Sequence, residues 1–220
     1  RTVRERAQAL IEIAHPDDRE DLIEQAKKAN ILYKDQIFLK DNAHLYPSDI
    51  ATQHTLKNGL KLRLRAIKPS DEDEMRHLFY RFSDEAVYYR YFTSIKTMPH
   101  TKMQEYVNVD YSQVMSIVAL INEPGQGHII AEARFVKEPD KPWADVAFVV
   151  DEEFSGLGIA TYMYKMLIRL AKERGIQGFT ADVLSSNSGM MKVFEKGGIV
   201  KAKLEYGVYK LSMPFEDTNL

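Results

Sequence analysis

The sequence predicts an α+β fold: a mixed, mostly antiparallel β-sheet flanked by helices, with a short helical appendage at its N-terminus. Three observations predict it. Between Gln113 and Val150, three apolar runs rich in β-branched residues are separated by turn signals, which reads as a meander. The last of these runs, Ala144 to Val150, leads through Gly156-Leu157-Gly158 into Ile159, Met163, Met166, Leu167, Leu170 and Ala171, which recur at helical spacing. Ahead of all this, the first ~30 residues carry two helical stripes that are too few to fold alone.

Composition bounds the class. The chain has 220 residues, of which 45% are hydrophobic and 28% charged, as in a globular protein with a core, and enough for one domain plus an appendage. A net charge of −2 advertises no basic face, so nucleic acid is not expected as a partner. With no cysteine, disulfides, thiolate metal sites and thiol catalysis drop out. No apolar run approaches ~18 residues and no signal peptide is visible. A cytoplasmic protein without a membrane partner is expected. The chain opens on Arg1, which points to a piece of something longer.

In order, Val3, Ala7, Leu10, Ile11 and Ala14 form the first stripe, and His15-Pro16-Asp17-Asp18 ends it. Leu22, Ile23, Ala26 and Ala29 form the second, ending near Asn30. Residues 33–58 carry turn signals (Asp41-Asn42, Pro47, Asn58-Gly59) and are expected to be an irregular connector. Leu60 to Ala66 alternates strictly and reads as a strand with one wet face. Ser70-Asp71-Glu72-Asp73 looks like a capping-box start, followed by Met75, Leu78, Phe79 and Phe82 on one helical face. Tyr80 to Phe92 is crowded with aromatics around Arg81 and Arg90; it reads as a second helix packed on the sheet, or as the wall of a substrate cleft. A third helix follows Pro99, with Met103, Tyr106 and Val107 inward.

The meander then runs Gln113 to Ile121, a turn at Glu123-Pro124-Gly125-Gln126-Gly127, His128 to Phe135, a turn at Pro139 to Pro142, and Trp143 to Val150. The helix after the glycines stops at Lys172-Glu173-Arg174-Gly175, with cations in the last turn and Gly behind them. Phe179 to Leu184 is a strand, Ser185-Ser186-Asn187 can cap a helix through Lys196, and Ile199 to Met213 closes with strands.

Strand, glycine turn, helix start is an order that suits an anion. Glycines admit a close backbone approach, and the first helical N–H groups lack internal partners and sit at the positive end of the dipole. A bare βα turn accounts for the spacing equally well. A P-loop is excluded because Ile159-Ala160 follows Gly158 where Lys-Ser/Thr is required. The dinucleotide fingerprint fails at Thr161. Ser155-Gly156-Leu157-Gly158-Ile159-Ala160 resembles the acyl-CoA pyrophosphate loop of the GNAT acetyltransferases, with Ser155 where Gln or Arg is usual.

The element order from Leu60 to Met213 is similar to that fold. Finer runs resemble its protein-lysine acetyltransferase subgroup: Phe79-Tyr80-Arg81-Phe82-Ser83, Tyr89-Arg90-Tyr91-Phe92, Val109-Asp110-Tyr111, Ala144 to Val150, Leu184 to Asn187, Met190-Met191 and Phe194. Arg6 to Leu32 resembles the C-terminal tail of the acetyl-CoA hydrolase/transferase family; its catalytic glutamate lies outside this chain, so His15 reads as a capping or packing residue. The expected division is a helical tail at 1–35, a connector at 36–59 and a GNAT domain at 60–215.

The resemblance implies acetyl-CoA as acyl donor, no metal, and a protein lysine or small amine as acceptor, with an upstream CoA-transferase domain in the parent chain. The backbone of Phe148, Val149 and Val150 would pair with the pantetheine arm. The N–H groups around Ser155, Gly156, Leu157, Gly158, Ile159 and Ala160 would hold the pyrophosphate. Asn187 would touch the cofactor arm or simply cap its helix. Asp145 resembles the subgroup's general base, one methylene short of the usual glutamate; Glu132, on the neighbouring strand, is the second candidate. Either carboxylate could equally be an ordinary strand residue. Phe194 stands near the usual thiolate-protonating tyrosine and has no hydroxyl. Lys165, Arg169 or Lys172 could reach the 3′-phosphate of the cofactor, but solvated helix surface is the simpler reading of each. An acetyltransferase is therefore the first expectation and a non-catalytic acyl-CoA-binding regulatory domain the second. A purely structural extension is the third.

Overall fold

The structure, a computed structural model, describes residues 2–38, 46–122 and 127–215. Two helices come first, α1 (Val3–Ile13) and α2 (Pro16–Lys28). Strands β1 (Thr52–Thr55) and β2 (Lys61–Ala66) precede three helices, α3 (Glu72–Arg81), α4 (Asp84–Tyr91) and α5 (His100–Val107). The meander is β3 (Val114–Ile121), β4 (His128–Lys137) and β5 (Trp143–Val150). Then come α6 (Ile159–Glu173), β6 (Gly178–Leu184), α7 (Ser188–Glu195), β7 (Lys201–Glu205) and β8 (Val208–Pro214).

Among the described residues the strands form one sheet in the order β1-β2-β3-β4-β5-β6-β8-β7. Every neighbouring pair is antiparallel except β5 and β6, where α6 makes the crossover that a parallel pair requires. Strands β3 and β4 are largely buried on both faces, and both α6 and α3 pack on β4. Met163, Leu167 and Ala171 of α6 are fully buried, at helical spacing. Phe148, Tyr164 and Phe194 meet edge-to-face where α6, α7 and β5 converge.

Gly197 sits against that cluster. A Cβ there would lie 2.1 Å from the Tyr164 ring, and Tyr164 is itself buried. Gly197→Ala is therefore expected to lower stability by about 1–3 kcal/mol, read as a lower urea midpoint at unchanged slope.

Several expectations are corrected. Residues 33–58 are not wholly irregular, since β1 pairs Thr52–Thr55 with β2. Thr-Gln-His-Thr has no apolar alternation to announce an edge strand; His54 earns its place by stacking on Tyr162 of α6, ring centroids 3.9 Å apart. Ser70 does not cap α3: Asp71 is its N-cap residue, and the Asp71 carboxylate takes the Lys68 N–H and the Arg65 fork instead. Phe82 ends α3 as its C-cap. The turn signals at Asp41-Asn42 and Glu123 to Gln126 lie outside the described residues.

The first two helices stand where periodicity puts them, and their stripes are only partly covered within this chain. Val3, Leu10 and Ile13 are 65%, 62% and 80% exposed, while Ile11 and Gln8 are buried. Their attachments to the rest of the chain include several polar ones. Arg4 pairs with Asp73 at 3.1 Å and lies over Tyr33, and Gln36 donates to Gln104 at 2.9 Å. His15 is the N-cap residue of α2, its Nδ1 accepting the Asp17 N–H at 3.4 Å.

Candidate functional site

Strands β5 and β6 part company early. They pair only from Trp143 to Asp145, opposite Gly178 to Thr180, after which β6 follows β8 along its whole length. Gly178 makes the closed end possible: a Cβ there would fall 2.6 Å from the Trp143 ring and 2.8 Å from the Met213 carbonyl oxygen. Beyond Asp145, the β6-facing edge of β5 has no neighbouring strand. The divergence opens a cleft of about 550 Å³ between β5, β6, α4 and α7, with the start of α6 at its end.

That end is the glycine turn. Gly156 and Gly158 have φ of +76° and +87°, the left-handed region that a side chain resists. A Cβ on either would meet nothing within 4 Å, so backbone conformation, not crowding, demands glycine, and the space above both is open. No side chain caps α6 and no acid lies in its first turn. Its leading N–H groups thus face the cleft mouth with the positive end of the dipole behind them.

The turn is fastened from behind. Arg81, at the end of α3, donates from Nε to Asp151 at 2.6 Å and from Nη2 to the Ile129 carbonyl at 2.6 Å. Asp151 is 2% exposed and also accepts the Glu153 N–H. Ser83, the N-cap residue of α4, donates its N–H and hydroxyl to Glu152 at 2.8 and 2.9 Å. The loop and α4 therefore share an anchor.

Asp145 stands at the fork of the two strands and lines the cleft. Thr180 Oγ1, opposite it, donates to it at 3.4 Å. Desolvation between the strands raises its pKa above the usual carboxylate value; the Thr180 bond and the Arg90 charge work the other way, and Asp182 and Glu138 add to the rise.

The pleat puts Glu132, opposite Val149, on the same face as Asp145, opposite Val136. Its surroundings differ. Glu132 has no exposure and does not line the cleft. One oxygen accepts Ser116 Oγ at 2.6 Å and Arg134 Nε at 2.7 Å, and the other accepts the Tyr106 hydroxyl at 2.8 Å.

Of the other expected residues, Phe148, Val149, Val150, Ser155, Gly156, Gly158, Ile159, Ala160 and Asn187 all line the cleft. Leu157 does not: its side chain packs against the core. Asn187 both caps α7, accepting the Met190 N–H at 3.0 Å, and borders the cleft. Phe194 is buried. The nearby Tyr164 hydroxyl faces Met213 Sδ, and burial pushes its pKa well above the usual phenol value. Lys165, Arg169 and Lys172 are not in the cleft lining. Lys192 and Lys196 are, at its lip. Sequence reasoning missed them because two lysines four apart on a helix look like any wet face. Tyr89, Arg90 and Phe92 supply the α4 wall, where the aromatic crowding had left the individual roles open. Phe92 ends α4 at φ +56°, uncommon for so bulky a residue.

Comparison with known proteins agrees with this geometry. Residues 61–200 match the Acetyltransferase (GNAT) domain family, and residues 1–26 match the Acetyl-CoA hydrolase/transferase C-terminal domain. Acetyltransferase Pat of Mycolicibacterium smegmatis is 31% identical over 166 residues, 74% of this chain and 49% of that protein. The chain thus spans about half the length of that relative. The GNAT domain of S. lividans PAT superposes with a TM-score of 0.70 at 28% identity, covering 77% of this chain and 99% of that one. A cAMP-binding acyltransferase from Mycobacterium smegmatis gives 0.56 at 26% identity, covering 91% of this chain and 58% of that one. The family match extends over most of the chain and takes in the strand fork, the glycine turn and the helix behind it, so this chain belongs to the GNAT acetyltransferase family.

Proposed function

We propose that the chain is an acetyl-CoA-dependent N-acetyltransferase that passes the acetyl group directly to an amine, a protein lysine or a small amine. The observation that carries the reading is the fork of β5 and β6 opening onto the uncapped start of α6. An extended pantetheine arm fits the β6-facing edge of β5 as a substitute strand, along Phe148 to Val150. The pyrophosphate then meets the main-chain donors from Gly156 to Ala160. Ser155 in place of a longer side chain leaves those donors intact. Lys192 and Lys196 at the lip offer charge for the remaining phosphate.

The chemistry needs three things: an aligned amine, a base and a stabilised oxyanion. Asp145 is assigned as the base, directly or through one water. It takes a proton from the ammonium, and the amine attacks the thioester carbon. The carbon–nitrogen bond forms as the carbonyl becomes an oxyanion. On collapse the carbon–sulfur bond breaks and the thiolate leaves with the proton shed by nitrogen. In this reading Glu132 holds the Tyr106–Arg134 network and does not touch substrate. The helical tail at 1–35 and the domain at 60–215 are read as the junction of a CoA-transferase with this acetyltransferase.

Asp145→Asn is expected to cut turnover by about 10²-fold or more while acetyl-CoA affinity stays within a few-fold. The base must be ionised, so the rate falls as pH drops through the raised pKa of Asp145, and the substitution removes that acid limb. Thiol release against pH, with lysine peptides and polyamines as acceptors, measures both. An unchanged profile in the variant would move the base elsewhere.

One observation favours a second reading, an acyl-CoA-binding regulatory domain. No hydroxyl stands at Phe194 to protonate the thiolate, and Tyr164 is turned to Met213. Acetyl-CoA binding without thiol release for any acceptor would select it.

A further inference from the structure

The α4 wall carries a charge that the acetyl-transfer scheme leaves unused. Arg90 lies in the last turn of α4 and shares the cleft with Asp145. Its Nη2 donates to the Tyr106 hydroxyl at 3.1 Å. Its Nε is sealed from solvent and has no partner. The Tyr106 hydroxyl in turn donates a hydrogen bond to Glu132, whose other oxygen is already taken by Ser116 and Arg134. The network therefore holds two guanidinium groups and one carboxylate.

Buried cations in proteins are usually matched, because an unpaired one forfeits its hydration. Arg90 forms no ion pair among the described residues. The carboxylates that share the cleft are engaged elsewhere: Asp145 bonds to Thr180, Glu152 to Ser83 and Asp182 to Lys210. Burial works against the Arg90 charge, but the Tyr106 hydroxyl that accepts from it and the negative charge of Glu132 beyond work for it, and its pKa stays above the usual guanidinium value. The fork is also fixed in place: Tyr106 ties one corner, and the Arg134 guanidinium lies 3.4 Å over the Tyr106 ring, stiffening the mount. A planar guanidinium held at a cleft wall, one positive charge in excess, suits an anionic oxygen group.

We propose that Arg90 recognises the acceptor, and that the acceptor is an amine bearing a carboxylate. The amine goes to Asp145 and the carboxylate to Arg90, so one substrate answers both charges. This rests on the acetyltransferase reading and narrows its acceptor class. The carboxylate comes either from a small amino acid or from an acidic residue beside a peptide lysine. A merely structural Arg90, packed against Tyr91 and Tyr106, would leave the enzyme indifferent to acceptor charge.

The test is thiol release from acetyl-CoA with matched acceptors. Free amino acids are compared with their carboxamides, and lysine peptides flanked by Glu with the same peptides flanked by Gln. The wild-type protein is expected to favour the carboxylate of at least one pair by ~10-fold or more in kcat/KM, a difference of about 1.4 kcal/mol. The pair that discriminates identifies the source. Arg90→Gln should bring the ratio near one, mainly through KM of the carboxylate acceptor, and Arg90→Lys should restore part of it. The wild-type comparison needs no variant to fold. Equal rates within every pair, or a preference that survives Arg90→Gln, overturn the assignment. Failure to bind acetyl-CoA would instead remove the acetyltransferase reading itself, and calorimetry with acetyl-CoA separates the two.

Discussion

Gly158→Val is expected to eliminate measurable acetyl-CoA binding. Two effects add. At φ +87° a β-branched side chain is strained, which pulls the turn out of shape. Its Cβ also enters the open space in front of the first N–H groups of α6, where the diphosphate would sit. Losing several charge-assisted bonds together should weaken binding by ~10²-fold or more, seen by calorimetry. Gly59→Val is the control, because Gly59 has φ +86° and equally open surroundings but lies in the β1–β2 turn. If strain alone mattered, both variants would lose stability and neither would lose affinity selectively. Retained affinity in Gly158→Val would place the pyrophosphate elsewhere.

Asp151→Ala should be the most destabilising single change. It strands the Arg81 guanidinium next to the Ile129 carbonyl with no anion to face, and it removes the cap of the Glu152–Phe154 turn. Breaking one half of a buried pair costs about 3–5 kcal/mol. Urea unfolding measures the loss, and a cost below ~1 kcal/mol would mean that the pair behaves like a surface contact. Asp151→Asn keeps the cap and should cost less. Both variants should also weaken acetyl-CoA, since the glycine turn hangs from this anchor.

How much of this was legible in the residues follows from what each feature depends on. The meander, α6 and the glycine turn were readable because periodicity and φ-permissive glycines are local signals. Asp145 was found by resemblance, but its place at the fork was not, since the fork depends on Gly178 letting Trp143 and Met213 crowd together. The Arg81–Asp151 pair spans 70 residues of sequence, and no spacing rule reaches that far. Glu132 looked like a free strand carboxylate; only the packing of α5 over β4 shows that its lone pairs are taken. β1 went unseen because its residues are polar. The stripe of α1 was readable as helix, but what it packs against was not, because periodicity reports a face and not its neighbour.

From Val146 onward, β5 has no strand on its β6-facing side, and that edge falls to water until something else lies along it. A donor molecule filling that place would complete the hydrogen-bonding pattern of the native state and leave the unfolded one untouched. By mass action the melting temperature then climbs with donor concentration, by about 2.7 kcal/mol of added stability at a hundredfold excess over the dissociation constant. The heat resistance of this chain would then report how well the cell is supplied with activated acetate.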